Sequence, residues 1–180
     1  MQRIMLDDGQ TTILRPIRPE DGLALASGIT ELSAQTRYHR FLSARNSFTK
    51  QEIDYLTCCD GHNHIALVLS SVDDRGGEKE LIAVARSIRH IEGSDSAEAA
   101  IIVRDEWQRR AAGRLVMRAL AEAALETGIR YWHGHLLQSN LGARRLMDHL
   151  GTKIAERPDG EVSEVIYRLR SPHPPLSAWF

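Results

Sequence analysis

Blocks of branched apolar residues separated by turn formers set the elements of this chain. Thr11 to Ile17 is β-branched and apolar enough for a strand, and Pro16 and Pro19 mark its exit. Asp21 is placed to cap a helix over 22–32. Ser33 is placed to cap a second carrying Thr36-Arg37-Tyr38-His39-Arg40-Phe41-Leu42, and Thr49 to open a short third toward Leu56. From Ile65 the pattern changes: the runs IALVLSSV and LIAVARSI, divided by Asp73-Asp74-Arg75-Gly76-Gly77, read as an antiparallel hairpin. Glu98 to Val103 is a third apolar strand, and a helical period begins near Ala111 or Ala112. In that helix Ala112, Leu115, Val116, Ala119, Leu120 and Ala123 fall on one face, and Arg114, Arg118, Glu122 and Glu126 on a wet one. Gly128 stands where a left-handed residue would end the helix. Tyr131 to Leu137 reads as a strand. Ser139 or Asn140 then caps a helix that turns Ala143, Leu146, Met147 and Leu150 inward and stops at Gly151, and Val162 to Leu169 is the last strand.

Composition narrows the class. With 180 residues, 42% hydrophobic and 26% charged, the chain suits one domain, taken as residues 1–170, with a Pro-containing tail at 171–180 that is either a loose arm or an interface segment. A homodimer is therefore possible. No apolar run approaches the roughly 18 residues of a spanning helix, and MQRIMLDDGQ lacks the apolar middle of a signal peptide, so a cytoplasmic protein without a membrane partner is expected. A formal charge of -1 leaves no global footprint for nucleic acid, which is not an expected partner. Cys58 and Cys59 are neighbours and cannot staple distant segments.

The junction after the third strand carries the candidate chemistry. It reads Asp105-Glu106-Trp107-Gln108-Arg109-Arg110-Ala111-Ala112-Gly113, between a buried strand and a helix start. Unpaired N–H groups at such a start attract anions, and Arg109, Arg110 and Arg114 add positive charge at the same point. A phosphate ligand would satisfy both. The turn lacks the Gly-Lys-Ser/Thr of a nucleotide P-loop and the three glycines of a dinucleotide fingerprint.

In this turn the sequence resembles the GNAT superfamily of acyl-CoA N-acyltransferases, whose pattern is Gln or Arg, two variable residues, Gly, one variable residue, then Gly or Ala. Gln108 and Gly113 match its ends. The resemblance continues through Gln138-Ser139-Asn140 to Leu150-Gly151. The segments ILRPIRPEDG, TRYHRFL and AVARSI also resemble the GNAT domain of bacterial protein-lysine acetyltransferases, so the likeness spans residues 11–169. It implies an α/β (α+β) fold with a central mixed, mostly antiparallel sheet flanked by helices. It further implies an acetyl-CoA cosubstrate, an amine acceptor that is a small molecule or a protein lysine, and no metal. The phosphates would be held from Gln108 through Arg109, Arg110, Ala111, Ala112 and Gly113 to Arg114. The pantetheine arm would run beside backbone groups of Ile101, Ile102 and Val103, and Asn140 would serve as helix cap, cofactor contact or both.

The chain departs from that pattern at three places. Ala111 replaces a Gly, and if the backbone is left-handed there the methyl costs about 1–2 kcal/mol. Thr152 replaces a Phe. Met147 stands where many relatives place a Tyr that protonates the leaving thiolate. The attacking amine must lose a proton, and Glu98 is the chosen base, acting directly or through water, because it opens the strand and shares a face with Ala100 and Ile102. Its bland alternative is an edge carboxylate paired with Arg86 or another basic group. Asp105 and Glu106 are expected to shape the turn. Cys58-Cys59-Asp60-Gly61-His62-Asn63-His64 lacks a standard paired metal-ligand spacing, and His133-Gly134-His135 offers two same-face strand histidines without an evident third ligand, so both are read as structural or surface residues. TRYHRFL is read as a packed helix with an exposed basic face rather than as the wall of an acceptor channel. The departures also keep open a non-catalytic acyl-CoA-binding or regulatory module.

Overall fold

A computed structural model describes residues 1–171, so the tail expected at 171–180 lies, beyond Ser171, outside the described residues. Eight strands are described: β1 (Gln2–Met5), β2 (Thr11–Pro16), β3 (His64–Val72), β4 (Glu78–Ile88), β5 (Ser96–Val103), β6 (Tyr131–Leu137), β7 (Gly151–Asp159) and β8 (Val162–Leu169). Between them run α1 (Gly22–Glu31), α2 (Ala34–Phe41), α3 (Lys50–Thr57), α4 (Ala112–Glu126) and α5 (Leu141–Leu150). The strands form one sheet in the order β1-β2-β3-β4-β5-β6-β8-β7, antiparallel everywhere except between β5 and β6.

Period-two alternation gives the sheet two apolar faces. On one, Leu67, Leu69, Ala83, Ala85, Ala99 and Ile101 pack with Val116, Met117 and Leu120 of α4. On the other, Ala66, Val68, Val84 and Ile102 pack with Ile17 and Leu25 toward α1. Small residues in the sheet (Ala83, Ala85 and Ala97) and in α4 (Ala112, Ala121 and Ala124) share this core, which suits a close approach of helix and sheet. Trp132, fully buried, settles its indole N–H on Ser87 Oγ at 3.0 Å.

The helix signals hold in most places. Ser33 Oγ accepts from Thr36 N (3.1 Å), Thr49 and Glu52 form a reciprocal capping box, and Asn140 Oδ1 accepts from Ala143 N (3.1 Å). Gly128 is left-handed (φ 91°), with Ile129 N reaching back to Ala124 O. Asp21 is a correction. Its carboxylate takes Arg18 N and the fork of Arg15, all at 2.7 Å, and gives α1 no side-chain cap. Gly151 ends α5 for a different reason from a left-handed turn: its backbone is extended (φ −154°), and a Cβ there would meet Arg168 O at 2.7 Å where β7 pairs with β8. The supposedly wet face of α4 is also partly covered, since Arg118 and Glu122 pair at 3.6 Å while only about a fifth exposed. Two strands escaped the pattern, β1 and β7, because both are sheet edges whose residues are mostly exposed and do not alternate.

Candidate active site

The parallel pairing of β5 with β6 covers only Ser96, Ala97 and Glu98 against Tyr131, Trp132 and His133. Beyond Glu98 the strands part, although β5 runs on to Val103 and β6 to Leu137. Along β5 the pairing of Arg104 N with Ile82 O fixes which backbone groups meet β4. In an antiparallel ladder these alternate, so Ile102 turns its N–H and C=O to β4 while Ile101 and Val103 turn theirs into the opening. Ile102 thus departs from the expected backbone contact; its side chain packs on the face of Ala66 and Val84, and the residue lines the cleft from there. Gln108 Nε2 confirms the direction of Val103 by donating to its carbonyl at 3.1 Å.

The opening is part of a cleft of about 580 Å³. Its walls bring together Glu98, Ile101, Ile102 and Val103 from β5, Gln108, Arg109, Ala111, Gly113 and Arg114 from the turn and α4, and Asn140 before α5. Arg110 and the buried Ala112 lie outside that lining. Arg110 is held over the Trp107 ring at 5.4 Å and lies 3.6 Å from Asp8, and Arg114 binds Asp7 at 2.8 Å, so the β1–β2 turn already opposes two of the three expected phosphate cations. Arg109 has no ion pair among the described residues.

The turn is locked from behind by Asp105. Its carboxylate accepts from Ser33 N (2.8 Å), Ser33 Oγ (2.8 Å) and Thr36 Oγ1 (2.6 Å), and Gln108 Nε2 donates to Thr36 Oγ1 at 3.0 Å. Burial pushes the Asp105 pKa up, but these hydrogen bonds outweigh it and hold the carboxyl below its usual value. Backbone strain concentrates here: Arg109 (φ 60°) and Ala111 (φ 66°) are left-handed without being glycine. At Gly113 the packing is close instead, with an added Cβ lying 3.4 Å from Val103 Cγ2 and 3.6 Å from Ile101 Cδ1.

Glu98 is the last residue at which β5 is tied to β6, and its side chain is 43% exposed. Its partner is His90 Nε2 at 3.2 Å, not Arg86, which lies at the buried end of β4 against His64 and Leu56 O. Sequence reasoning missed His90, and it undervalued α2, whose Thr36, His39, Arg40 and Phe41 line the cleft. No residue of α2 is buried, so its pattern gave no sign of what it faces. Met147 and His135 complete the far wall, and no tyrosine lines the cleft among the described residues. The described residues hold no group of three or more His, Cys, Asp or Glu side chains arranged for a metal ion.

The model of the Acetyltransferase (GNAT) family matches residues 30–152, which include Glu98, the turn and Asn140. The chain belongs to the GNAT family. Among curated relatives this GNAT chain is 32% identical over 148 residues to Acetyltransferase Pat of Mycolicibacterium smegmatis, covering 82% of the chain and 43% of that protein. It is 29% identical over 164 residues to Acetyltransferase PA5475 of Pseudomonas aeruginosa, covering 91% of the chain and 86% of the relative. The chain therefore spans less than half the length of the first relative and most of the second. In structure it is similar to the GNAT domain of S. lividans PAT, with TM-score 0.80 at 24% identity over 93% of this chain and 96% of that one. It is also similar to yncA of Salmonella typhimurium, solved with its cofactor acetyl-CoA, with TM-score 0.70 at 16% identity over 91% and 97%. No helix among the described residues is long and apolar enough to cross a membrane.

Proposed function

We propose that this GNAT acetyltransferase moves an acetyl group from acetyl-CoA to a primary amine by direct attack, with Glu98 as the base. The observation that carries the reading is the parting of β5 and β6 between a carboxylate at one end and a helix-start turn at the other, in one cleft. The residues fit the cosubstrate. The free edge of β5 offers the Ile101 amide and carbonyl to a pantetheine arm. The start of α4, with Arg109 unpaired and Arg114 held only by an exposed aspartate among the described residues, suits phosphates. Acetyl-CoA supplies the acyl group as an activated thioester.

Glu98 takes the ammonium proton, directly or through water, and frees the nitrogen lone pair. A C–N bond then forms as the C–S bond breaks. The thiolate takes its proton from water or from the departing ammonium proton, since Met147 has none to give. An inward N–H on the free edge of β5 is suited to the carbonyl oxygen as charge develops on it. The likeness to protein-lysine acetyltransferases makes a protein lysine one candidate acceptor, beside small amines.

Glu98→Gln tests the assignment. Turnover, followed by thiol release over a panel of amines and lysine peptides, should fall by about 100-fold or more, while the calorimetric dissociation constant for acetyl-CoA stays within about twofold. Undiminished turnover would remove Glu98 as base. Acetyl-CoA binding without thiol release from any acceptor would favour the non-catalytic module.

A further inference from the structure

A second cavity of about 300 Å³ lies between the β4–β5 face and the helices α1, α2 and α3. It meets the cofactor cleft along Arg40, Phe41 and Ile102, which line both. Its size is that of a metabolite site rather than of a groove for a protein surface. Leu25, Leu81, Val84, Phe48 and Leu56 make most of its wall apolar.

Four arginines reach this cavity, and two of them are neutralised. Arg45 is paired with Glu52, and Arg104 is ringed by Glu31 (2.8 Å), Glu80 (3.0 Å) and Glu106 (2.8 Å). Arg40 and Arg86 have no such closure. Arg86 is only 5% exposed and uses one nitrogen, Nη1, toward Leu56 O (3.3 Å) and His64 Nε2 (3.1 Å). An arginine can only donate, so His64 Nε2 accepts and carries no proton. The Nε and Nη2 groups of Arg86 have no hydrogen-bond partner among the described residues. Arg40 makes no hydrogen bond to them either and stacks on its neighbour Phe41 at 5.0 Å. Desolvation at the guanidinium end lowers the pKa of both, that of Arg86 to about 10 with the charge of Arg40 acting in the same sense; a guanidinium nonetheless keeps its proton in proteins. The other two arginines buried as whole residues are closed, Arg15 by Asp21 and Glu78, and Arg89 by the carbonyls of Ser94, His62 and Thr127, whereas Arg144 also leaves Nε and Nη2 without a partner but has its charge met by Glu156.

Two like charges with unfilled donors in an apolar chamber are a costly arrangement unless an anion completes it. We infer that Arg40 and Arg86 form a carboxylate subsite for the acceptor, which is a small amino acid with an apolar side chain rather than a lysine of a protein. The guanidinium fork suits a carboxylate. The carboxylate whose charge acts on Arg40 is Glu98, so a zwitterion lying across the junction of the two cavities would turn its carboxylate to the arginines and its ammonium to the base. A lysine side chain brings no negative charge near its amine and would leave both arginines open. The inference rests on the acetyl-transfer reading for what happens to the amine, but not for the binding of the carboxylate.

Calorimetry on the full chain saturated with CoA separates the two. The probes are leucine, methionine and phenylalanine, each beside its carboxamide. At least one acid should bind tenfold or more tightly than its amide, and Arg40→Gln and Arg86→Met should each erase that difference. Should Arg86→Met fail to fold, Arg40→Gln, which breaks no hydrogen bond, decides alone. An amide that binds as well as its acid, no binding by any of the three acids, or thiol release with a lysine peptide but with none of them would overturn the subsite. Tight binding of an acid without thiol release would leave the subsite standing and overturn acetyl transfer instead.

Discussion

Ala111 concentrates the cost of the phosphate turn on one methyl group. At φ 66° it occupies a region that costs an L-residue about 1–2 kcal/mol, a cost that along the chain could be stated only as a condition on its conformation. Ala111→Gly should therefore leave stability equal or raised by up to about 1 kcal/mol, against the loss of about 0.5–1 that the same change brings in a right-handed helix. Urea melts of the two proteins decide it, and a clear drop would mean the turn is not left-handed there. Arg109 shares the conformation with no glycine-like signal, so its strain could not be read in advance. His64 gives a second residue-level expectation. Burial, reinforced by Arg86, pushes its pKa down to about 4 from 6.5, so the unfolded chain binds a proton that the folded protein refuses between those values. Stability should be complete above pH 6.5 and fall as pH drops toward 4, by about 3 kcal/mol in all. His64→Gln keeps an acceptor for Arg86 and should flatten that slope in melts taken at stepped pH. The depressed carboxyls of Glu52 and Glu156 act in a separate window, since their stabilisation is lost only as pH falls below 4.5 toward about 2.

Among the elements, the phosphate turn depends on a helix distant in sequence. Asp105 ties it to the cap of α2 through Ser33 and Thr36, so Asp105→Ala leaves the Ser33 amide and two hydroxyls without their acceptor. We expect a loss of about 1–3 kcal/mol in stability together with a raised dissociation constant for acetyl-CoA. A variant that is less stable but binds as before would separate the lock from the turn. The β1–β2 turn acts in the opposite sense. Asp7 and Asp8 neutralise Arg114 and Arg110, and the paired change Asp7→Asn with Asp8→Asn should lower the KM for acetyl-CoA a few-fold at low salt and much less at high salt, because exposed pairs are screened. Neither relation was legible along the chain. The Gln108–Gly113 turn and the caps at Ser33, Thr49 and Asn140 depend on neighbours in sequence and were readable. What holds the turn from behind and opposes it from above comes from residues about 70 to 107 positions away.

Across the whole molecule, the strands and helices that pack two-sidedly or amphipathically announced themselves, from the β3–β4 hairpin to α4 and α5. The edge strands β1 and β7 did not, because a strand with mostly exposed residues carries no alternation to read. The same limit hid the second cavity. Its walls come from α1, α2, α3, β4 and β5, and TRYHRFL shows a basic helix but not that Arg40 stands between two chambers. Glu98 was chosen as the base from strand phase and from the amine's need of a nearby carboxylate, whereas its neighbour His90 depended on how the chain returns after β4. The parting of β5 from β6 has a consequence for exchange of amide protons with water. Along a strand in the middle of an eight-stranded sheet, the Ile102 N–H is tied to β4, whereas those of Ile101 and Val103 face the gap. Protection in deuterated solvent should therefore alternate residue by residue along one strand, and bound acetyl-CoA should slow Ile101 while leaving Ile102 as it was.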